Sequence, residues 1–574
     1  MIGKTNAQVI GDSTKYETAV INLTSNQSSA TALNGLTVTV TYDNITEEYT
    51  WDGNAISLDI PEGSTYTVSS SALTNYTSPS AVEYTAEADN VRSINLAYST
   101  YALQLHYENY LIGIDVTVTC GDFKQVVYIE STSPTPNMVY IPYVENATIT
   151  VEFEAVSGYI TPDILQLTMD SSGGYVVWAY EQLNEESSSY WVIFDDSTST
   201  TTLERGGNLD VITSLTSKFK RCLALPQNDG TAAITYLSPT NSANFADGTA
   251  INTVIASPSD VRLRYYMVHF PKYYYRCEDL GNSQHKLYIA ETQITSDYKE
   301  ERECLIGVFE AFLASAAFLV SMPDVSSTAS QTITSFFGYA RTNGSNWGLI
   351  DYRAHKTIAN MFCAKYGNTN ISTKNSSIPC SGGTKVYDSG KTGGTISLGN
   401  TDGKAKVNGD TSNYSTNFLG LEDCYYSKYE FVQGINIIAD RKWVVYDGGL
   451  KVDTDTAELQ SAGYTNIREI GTAPTSTGYI TSIKHGEYAD VMPTAVGGSD
   501  TTHYADYYYQ KTGNRIFLRS DDSDYDARCG VFCSNALFDS SLSGSNFGSR
   551  LGFYGKIVVK TKDEFLALEP GFNG

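Results

Sequence analysis

Few stretches of the sequence put suitable residue types at a spacing that could do chemistry. Gly390-Lys391-Thr392 ends like a phosphate-binding loop, whose backbone N–H groups cradle an anion, but the glycine required five residues earlier is replaced by Lys385. Asp522, Asp524 and Asp526 alternate like calcium ligands. A calcium loop would continue with Gly and Glu where this chain has Ala527 and Cys533, so the run reads as a solvated acidic turn. Cys529 and Cys533 form the one close cysteine pair, with neither a second pair nor histidines near enough in sequence to complete a zinc site. The nine cysteines are odd in number and scattered, which implies no disulfide framework. None of the six histidines stands in a metalloprotease spacing, and no Gly-x-Ser-x-Gly elbow occurs. His355, at the start of a helical pattern, and His269, in an apolar strand, read as hydrogen-bonded structural residues. Acidic pairs are plentiful, yet a glycosidase needs two carboxylates facing one cleft, which sequence does not show. No catalytic residue, metal or cofactor is expected. The tyrosine triplets at 273–275 and 507–509 could stack on sugars, although at strand spacing half of each run turns into the core.

The elements that would position such residues are mainly strands. Charged residues number 38 Lys+Arg against 64 Asp+Glu, a net charge of -26, which argues against a general nucleic-acid binder. The length of 574 residues suggests three or four domains at roughly 150 residues each. Thr, Ser, Tyr and Val dominate the texture and suit pleated sheets. No uninterrupted apolar run long enough to span a membrane is present, and MIGKTNAQVIGDSTKYE lacks the pattern of a secretion signal.

The N-terminal third repeats itself with a period of roughly 80 residues. Leu36-Thr37-Val38-Thr39-Val40-Thr41 is echoed by Ile114-Asp115-Val116-Thr117-Val118-Thr119, and Ile60-Pro61 by Ile141-Pro142. Short alternating runs such as Ile56-Leu58-Ile60, separated by turn clusters such as Pro61-Glu62-Gly63-Ser64, predict two tandem Ig-like β-sandwiches at 21–100 and 101–183 after an N-terminal segment 1–20. Asn184 to Ser189 reads as a polar linker. Beyond it lies an α+β region, 184–574. Its helices are predicted from Thr328, with Ile333, Phe336, Phe337 and Ala340 on one face and Gly344 as the stop, and from Tyr352 to Gly367, with Ile358, Met361 and Phe362 on one face. Residues 368–416 read as an elaborated loop with short strands. The tail through Gly548 to Phe553 and Lys556 to Val559 reads as a closing core strand.

Several longer stretches of the C-terminal region carry a family likeness. They are Val268-His269-Phe270-Pro271-Lys272-Tyr273-Tyr274-Tyr275-Arg276, Glu303-Cys304-Leu305-Ile306-Gly307, Asn346-Trp347-Gly348-Leu349-Ile350-Asp351-Tyr352-Arg353 and Asn417-Phe418-Leu419-Gly420, followed by Pro493-Thr494-Ala495-Val496-Gly497-Gly498-Ser499 and Phe547-Gly548-Ser549-Arg550-Leu551. In this order they make residues 190–574 resemble the variable proteins of diversity-generating retroelements, in particular the C-type-lectin-fold receptor-binding tail-fibre proteins of gut-bacterial phages. The resemblance implies a C-type-lectin-like domain whose region from about 499 to 555 is rewritten by error-prone reverse transcription and lines a solvent-exposed ligand surface. Carried over by position, the variable residues are His503, Tyr508, Tyr509, Asn514, Phe517, Leu518, Asp521, Asp522, Asp524, Tyr525, Cys533, Asn535, Leu537, Phe538, Leu542, Ser543 and Ser545. Gly530-Val531, Asp539 and Ser541 match fixed family positions, whereas Cys529 and Phe532 depart from the small residues usual there.

The chemistry of that set agrees with the implied role. Tyr, Asn, Ser and Asp make a paratope-like palette of rigid rings and adaptable polar groups. An exposed Leu537-Phe538 pair would suit a binding site, and Asp521, Asp522 and Asp524 would favour a positively charged partner. The implied protein is a phage adhesin, carried on the virion and extracellular after host lysis. It would attach to a bacterial surface receptor, protein or glycan, as a homo-oligomer, a trimer as in related phage tips, and join other tail proteins through its N-terminal region. It would use no cofactor, no nucleic acid and no membrane insertion. Two other classes compete: an enzyme like the formylglycine-generating enzymes, which share the fold, with Cys529 and Cys533 as a redox pair, and a bacterial cell-surface adhesin.

Overall fold

Alternation of apolar residues along short Thr- and Val-rich runs produces a mainly β, multidomain chain built from many separate sheets. The computed structural model describes residues 15–26, 33–107, 113–129, 137–156, 158–170, 173–314, 317–371, 377–382, 390–410, 412–438, 440–446, 467–522, 528 and 530–569. The chain divides into two compact units, Met1–Gln182 and Leu183–Gly574. Among the described residues no helix is long and apolar enough to cross a membrane.

The first unit holds two sandwiches of the same topology. In the first, Tyr16–Ser25 lies between Ile56–Pro61 and Val91–Tyr98, and this sheet packs on a second sheet in the order Ile45–Thr50, Thr37–Tyr42, Thr65–Ser70, Val82–Thr85. In the second, Thr100–Tyr107 lies between Asn137–Pro142 and Gly174–Trp178, opposite the order Phe123–Ile129, Ile114–Cys120, Thr148–Phe153, Leu165–Thr168. Period-two alternation sends Val38 and Val40, and their echoes Val116 and Val118, into the two cores. The first sandwich starts earlier than its sequence suggests: Ala19 is fully buried in the opening strand, inside the segment read as 1–20. Glu17 on that strand is also sealed from solvent, accepting hydrogen bonds from Tyr66 Oη (2.5 Å), Asn90 Nδ2 (2.8 Å) and Arg92 Nε (2.8 Å). The Arg92 guanidinium holds its carboxyl down to about 2. At the joint, only Ser99 separates the last strand of one sandwich from the first strand of the next. The buried Thr100 hydroxyl there bonds Asn75 O (2.8 Å) on one side and Ile141 O (2.9 Å) on the other.

The stretch read as a linker opens with a short helix, Glu185–Ser188. Asn184 Oδ1 caps it by accepting from the Glu186 amide, and the Glu185 carboxylate takes the Arg276 guanidinium at 2.8 Å. Capping and a half-buried ion pair outweigh the polar composition that suggested a linker. The second unit continues with a five-stranded, a seven-stranded and a nine-stranded sheet. Both expected helices are present, Ile333–Arg341 and Tyr352–Tyr366, and the sequence reading missed a third, Leu209–Ser217. Tyr352–Tyr366 starts at Asp351, whose carboxylate accepts from the Ala354 amide, and stops at Gly367 in the left-handed region (φ 59°). It is buried on nearly every side rather than on one face, His355, Lys356 and Asn360 included. Lys356 stays charged there by pairing with Glu301 at 3.1 Å and donating to Tyr275 Oη at 3.0 Å. The tail also differs from expectation. Leu551–Phe553 sits inside the seven-stranded sheet, between Trp347–Leu349 and Cys304–Gly307, whereas Ile557–Val559 pairs only with Ala232–Tyr236 and forms an edge, leaving Val559 exposed.

Candidate functional site

The nine-stranded sheet carries five of the residues assigned by position to a ligand surface, Tyr508, Tyr509, Phe517, Leu518 and Asn535. Its strands run Ile467–Thr472, Lys442–Tyr446, Tyr429–Ile437, Arg515–Arg519, Ser534–Ala536, Tyr507–Gln510, Gly478–Lys484 and Met492–Val496, with Phe547–Ser549 pairing Tyr429–Ile437 on a second side. Two buried arginines secure the base: Arg550 pairs with Glu430 at 2.8 Å and Arg519 with the same carboxylate at 3.4 Å. Arg550 also donates to the backbone carbonyls of Gly307 (3.0 Å), Val308 (2.7 Å) and Glu422 (2.8 Å), tying this sheet to its neighbours.

Five of the assigned residues point inward and do not form a surface. Tyr508 is fully buried with its ring against Trp443, and Phe517 packs between Trp443 and His355. Leu518 joins the second hydrophobic core of the unit. Cys533 is buried with its thiol donating to Ser520 O, and Asn535 is buried with its Oδ1 accepting from the Leu537 amide. The cause is that the sheet is covered on both faces: successive residues of Arg515–Arg519 and Ser534–Ala536 are buried without alternation, Phe517 in one hydrophobic core and Leu518 in the other. Leu537 and Phe538 are half-buried rather than exposed, with Phe538 edge-on to Phe547 at 5.3 Å, and Leu542 packs against the same core. Asp521 and Asp522 form a short strand whose side chains are not described, and Asp524, Tyr525 and Cys529 lie outside the described residues. His503 and Asn514 are half-buried; Ser543 and Ser545 are exposed. His503 lies beside Gly498, whose amide donates to Tyr479 O.

What remains outward is a track of aromatic rings. In Tyr507–Gln510 the outer residues are Tyr507 and Tyr509, with ring centroids 4.8 Å apart. Pairing of Tyr479 with Tyr507 brings a third ring edge-on at 4.9 Å. At the other end the track runs into the core: Tyr509 meets the buried Tyr429 at 6.4 Å, which stacks on the buried Phe547 at 5.4 Å. Arg528 covers Tyr507 at 4.7 Å from its centroid and donates to Tyr509 Oη, adding a cation to the π surface. Burial pushes the Tyr479 phenol up, so the ring stays neutral and its hydroxyl remains a donor. The surface can therefore offer flat π faces, phenol hydroxyls and one guanidinium, a set that stacks on sugar rings or aromatic side chains.

Sequence reasoning missed Tyr479 and Arg528 as members of this surface and left Tyr507 out of the positional set, although the triplet 507–509 reads as able to stack on sugars. Strand alternation puts Tyr507 on the face of Tyr509; Tyr479 reaches the track only through sheet pairing. Behind it, Gly530 is required by close approach, since a Cβ there would lie 2.0 Å from Asp506 Oδ1, and Asp506 Oδ2 accepts from the Phe532 amide at 2.7 Å.

The residues first considered for chemistry are used structurally. Lys391 pairs with Asp324 at 3.0 Å. His269 bonds Tyr236 Oη through Nδ1 (2.8 Å) and Glu303 through Nε2 (3.3 Å), as expected of a structural histidine. His355 corrects that expectation: it is buried, and among the described residues neither ring nitrogen has a hydrogen-bond partner.

No protein-family model matches the chain, and no curated protein matches it significantly. Solved structures with local likeness include the Bacillus anthracis TIE protein, at 12% identity and a TM-score of 0.17, covering 33% of this chain and 41% of that one. The shaft pilin SpaA from Lactobacillus rhamnosus GG is similar at 10% identity and a TM-score of 0.20, over 30% of this chain and all of the pilin. GBS52, the minor pilin of Streptococcus agalactiae, is similar at 10% identity and a TM-score of 0.18, over 29% of this chain and 97% of that one. The chain thus spans less than half of the TIE protein, and at these TM-scores none of the likenesses carries an argument about fold or function.

Proposed function

We propose that the protein is an adhesin that attaches to a bacterial surface molecule through the aromatic track, and that it works as the receptor-binding fibre protein of a phage, with the second unit as a C-type-lectin-like tip. The observation that carries the binding role is the run Tyr479, Tyr507, Tyr509 with Arg528 laid over Tyr507, because aligned half-buried tyrosines and an arginine are the groups that dominate binding energy at interfaces. The sequence likeness of residues 190–574 to retroelement-diversified fibre proteins supports the narrower assignment to phages. The sequence likeness would add Asn514, Leu537, Phe538, Ser543 and Ser545 to the surface. In this reading the protein binds and does not catalyse, and attachment gains strength from several copies engaging one cell.

The test is adsorption of the labelled full chain to intact gut bacteria, screened until a strain that retains it is found. Tyr507→Ser together with Tyr509→Ser is expected to weaken retention by roughly 10- to 100-fold, the cost of removing two interface tyrosines. Tyr414→Ser, an exposed tyrosine elsewhere, is expected to leave it unchanged. Equal retention by the double variant and the parent would refute the aromatic track as the contact surface.

A further inference from the structure

The two sandwiches of the first unit present the same sheet positions with opposite chemistry. In the first, Val20 lies between Ser57 and Ser93, Thr18 between Asp59 and the exposed Val91, and Asn22 pairs with Asn95. In the second, Gln104 lies between Met138 and Tyr175, Ala102 pairs with Tyr140, and His106 pairs with Val177. Because the registers coincide, with Tyr16 opposite Pro61 in one copy and Thr100 opposite Pro142 in the other, four positions can be compared directly. Ser57, Asp59, Ser93 and Asn95 become Met138, Tyr140, Tyr175 and Val177, all of which point outward and are 38%, 39%, 67% and 43% exposed. The two polar groups among them serve each other: His106 Nε2 lies 3.1 Å from Gln104 Oε1, and the His106 ring sits edge-on to Tyr175 at 6.0 Å. Sheet packing alone does not ask for these four side chains, since the first sandwich packs its core with Ser57, Asp59, Ser93 and Asn95 at the same positions, the apolar residues of its outer face being Tyr16, Val20 and Val91.

We propose that the outer face formed by Met138, Tyr140, Tyr175 and Val177 is a self-association surface that meets the same face of a second copy of this chain. Charge supports that occupant. Chains that each carry -26 repel, so a contact between copies must be made where no acids oppose one another. The one charged residue at these positions in the first sandwich, Asp59, is replaced in the second by Tyr140. An anionic lipid surface or a nucleic acid is disfavoured, because residues 101–183 contain a single Lys and no Arg against ten Asp and Glu. The area agrees as well. The four side chains leave roughly 300 Å² of apolar surface open, suited to the centre of an interface of about 800 Å² per partner with a polar rim. The surface is separate from the aromatic track, and the inference stands whether or not the track binds a receptor.

The experiment is sedimentation equilibrium on the full chain from about 1 to about 100 μM at low and high salt, comparing the parent with a variant carrying Met138→Ser, Tyr140→Asp, Tyr175→Ser and Val177→Asn. The four replacements are the residues that the first sandwich carries at the same register, so a folded product is expected, and circular dichroism checks it. The parent is expected to associate, more tightly at high salt because screening relieves the repulsion of the acidic rims. The variant is expected to dissociate at least 10-fold more readily. A parent that stays monomeric throughout, or a folded variant that assembles as the parent does, overturns the proposal. So does an outcome in which the face captures liposomes of phosphatidylcholine while the chains remain monomers.

Discussion

His355 and His485 are each about 1% exposed, and among the described residues neither ring offers or receives a hydrogen bond. Burial holds both rings well below the usual imidazole range, with the Arg519 charge adding to the effect at His355 and the His285 and Lys484 charges at His485. Folding therefore keeps them neutral. Below about pH 6.5 the unfolded chain takes up protons that the native one refuses, so stability falls as pH falls through that point and is regained above it. His355→Phe, which keeps a ring between Phe517 and Tyr352, is expected to flatten this dependence. Urea midpoints measured on either side of pH 6.5 check it; an unchanged slope would show that His355 is not held neutral.

At the level of elements, how much could be read in advance followed the range of the forces involved. The alternation in the tandem repeat and the Asp351 and Gly367 ends of the long helix are local signals, and they were legible. Leu209–Ser217 has the same kind of signal, with Asn208 capping and Ile212 and Leu215 turned inward, but it lies in stranded sequence. The ligand surface was legible only as a stretch of chain. Which of its residues face outward depends on how the sheet is covered on each face, which buried Tyr508, Phe517, Leu518, Cys533 and Asn535, and Tyr479 enters from outside the stretch by pairing with Tyr507. The arginine anchors were invisible for the same reason, since Glu430 lies 120 residues from Arg550. That pairing makes a prediction at this scale. Glu430→Gln would leave Arg519 and Arg550 buried without their shared carboxylate and is expected to cost about 3–5 kcal/mol, read as a fall in the urea midpoint of the second unit. A change below about 1 kcal/mol would mean that the carbonyl bonds of Arg550 suffice.

Across the whole molecule, the two units respond to acid through different groups. The histidines belong to the second unit and act from about pH 6.5 downward. Glu17 belongs to the first; with its folded value depressed to about 2 from an ordinary 4.5, its contribution is complete above 4.5 and is lost as pH drops towards 2. Acidification is thus expected to loosen residues 183–574 before residues 1–182. Hydrogen exchange followed by mass spectrometry along an acid series would show the order, and early deprotection of strands around Glu17 would contradict it. The joint at Thr100 has a mechanical consequence as well. With one residue between successive strands and a hydroxyl bonded to both sandwiches, there is no slack to take up a pull. A load applied to the first sandwich is handed to the second with almost no lever between them, so the pair acts as a stiff spacer.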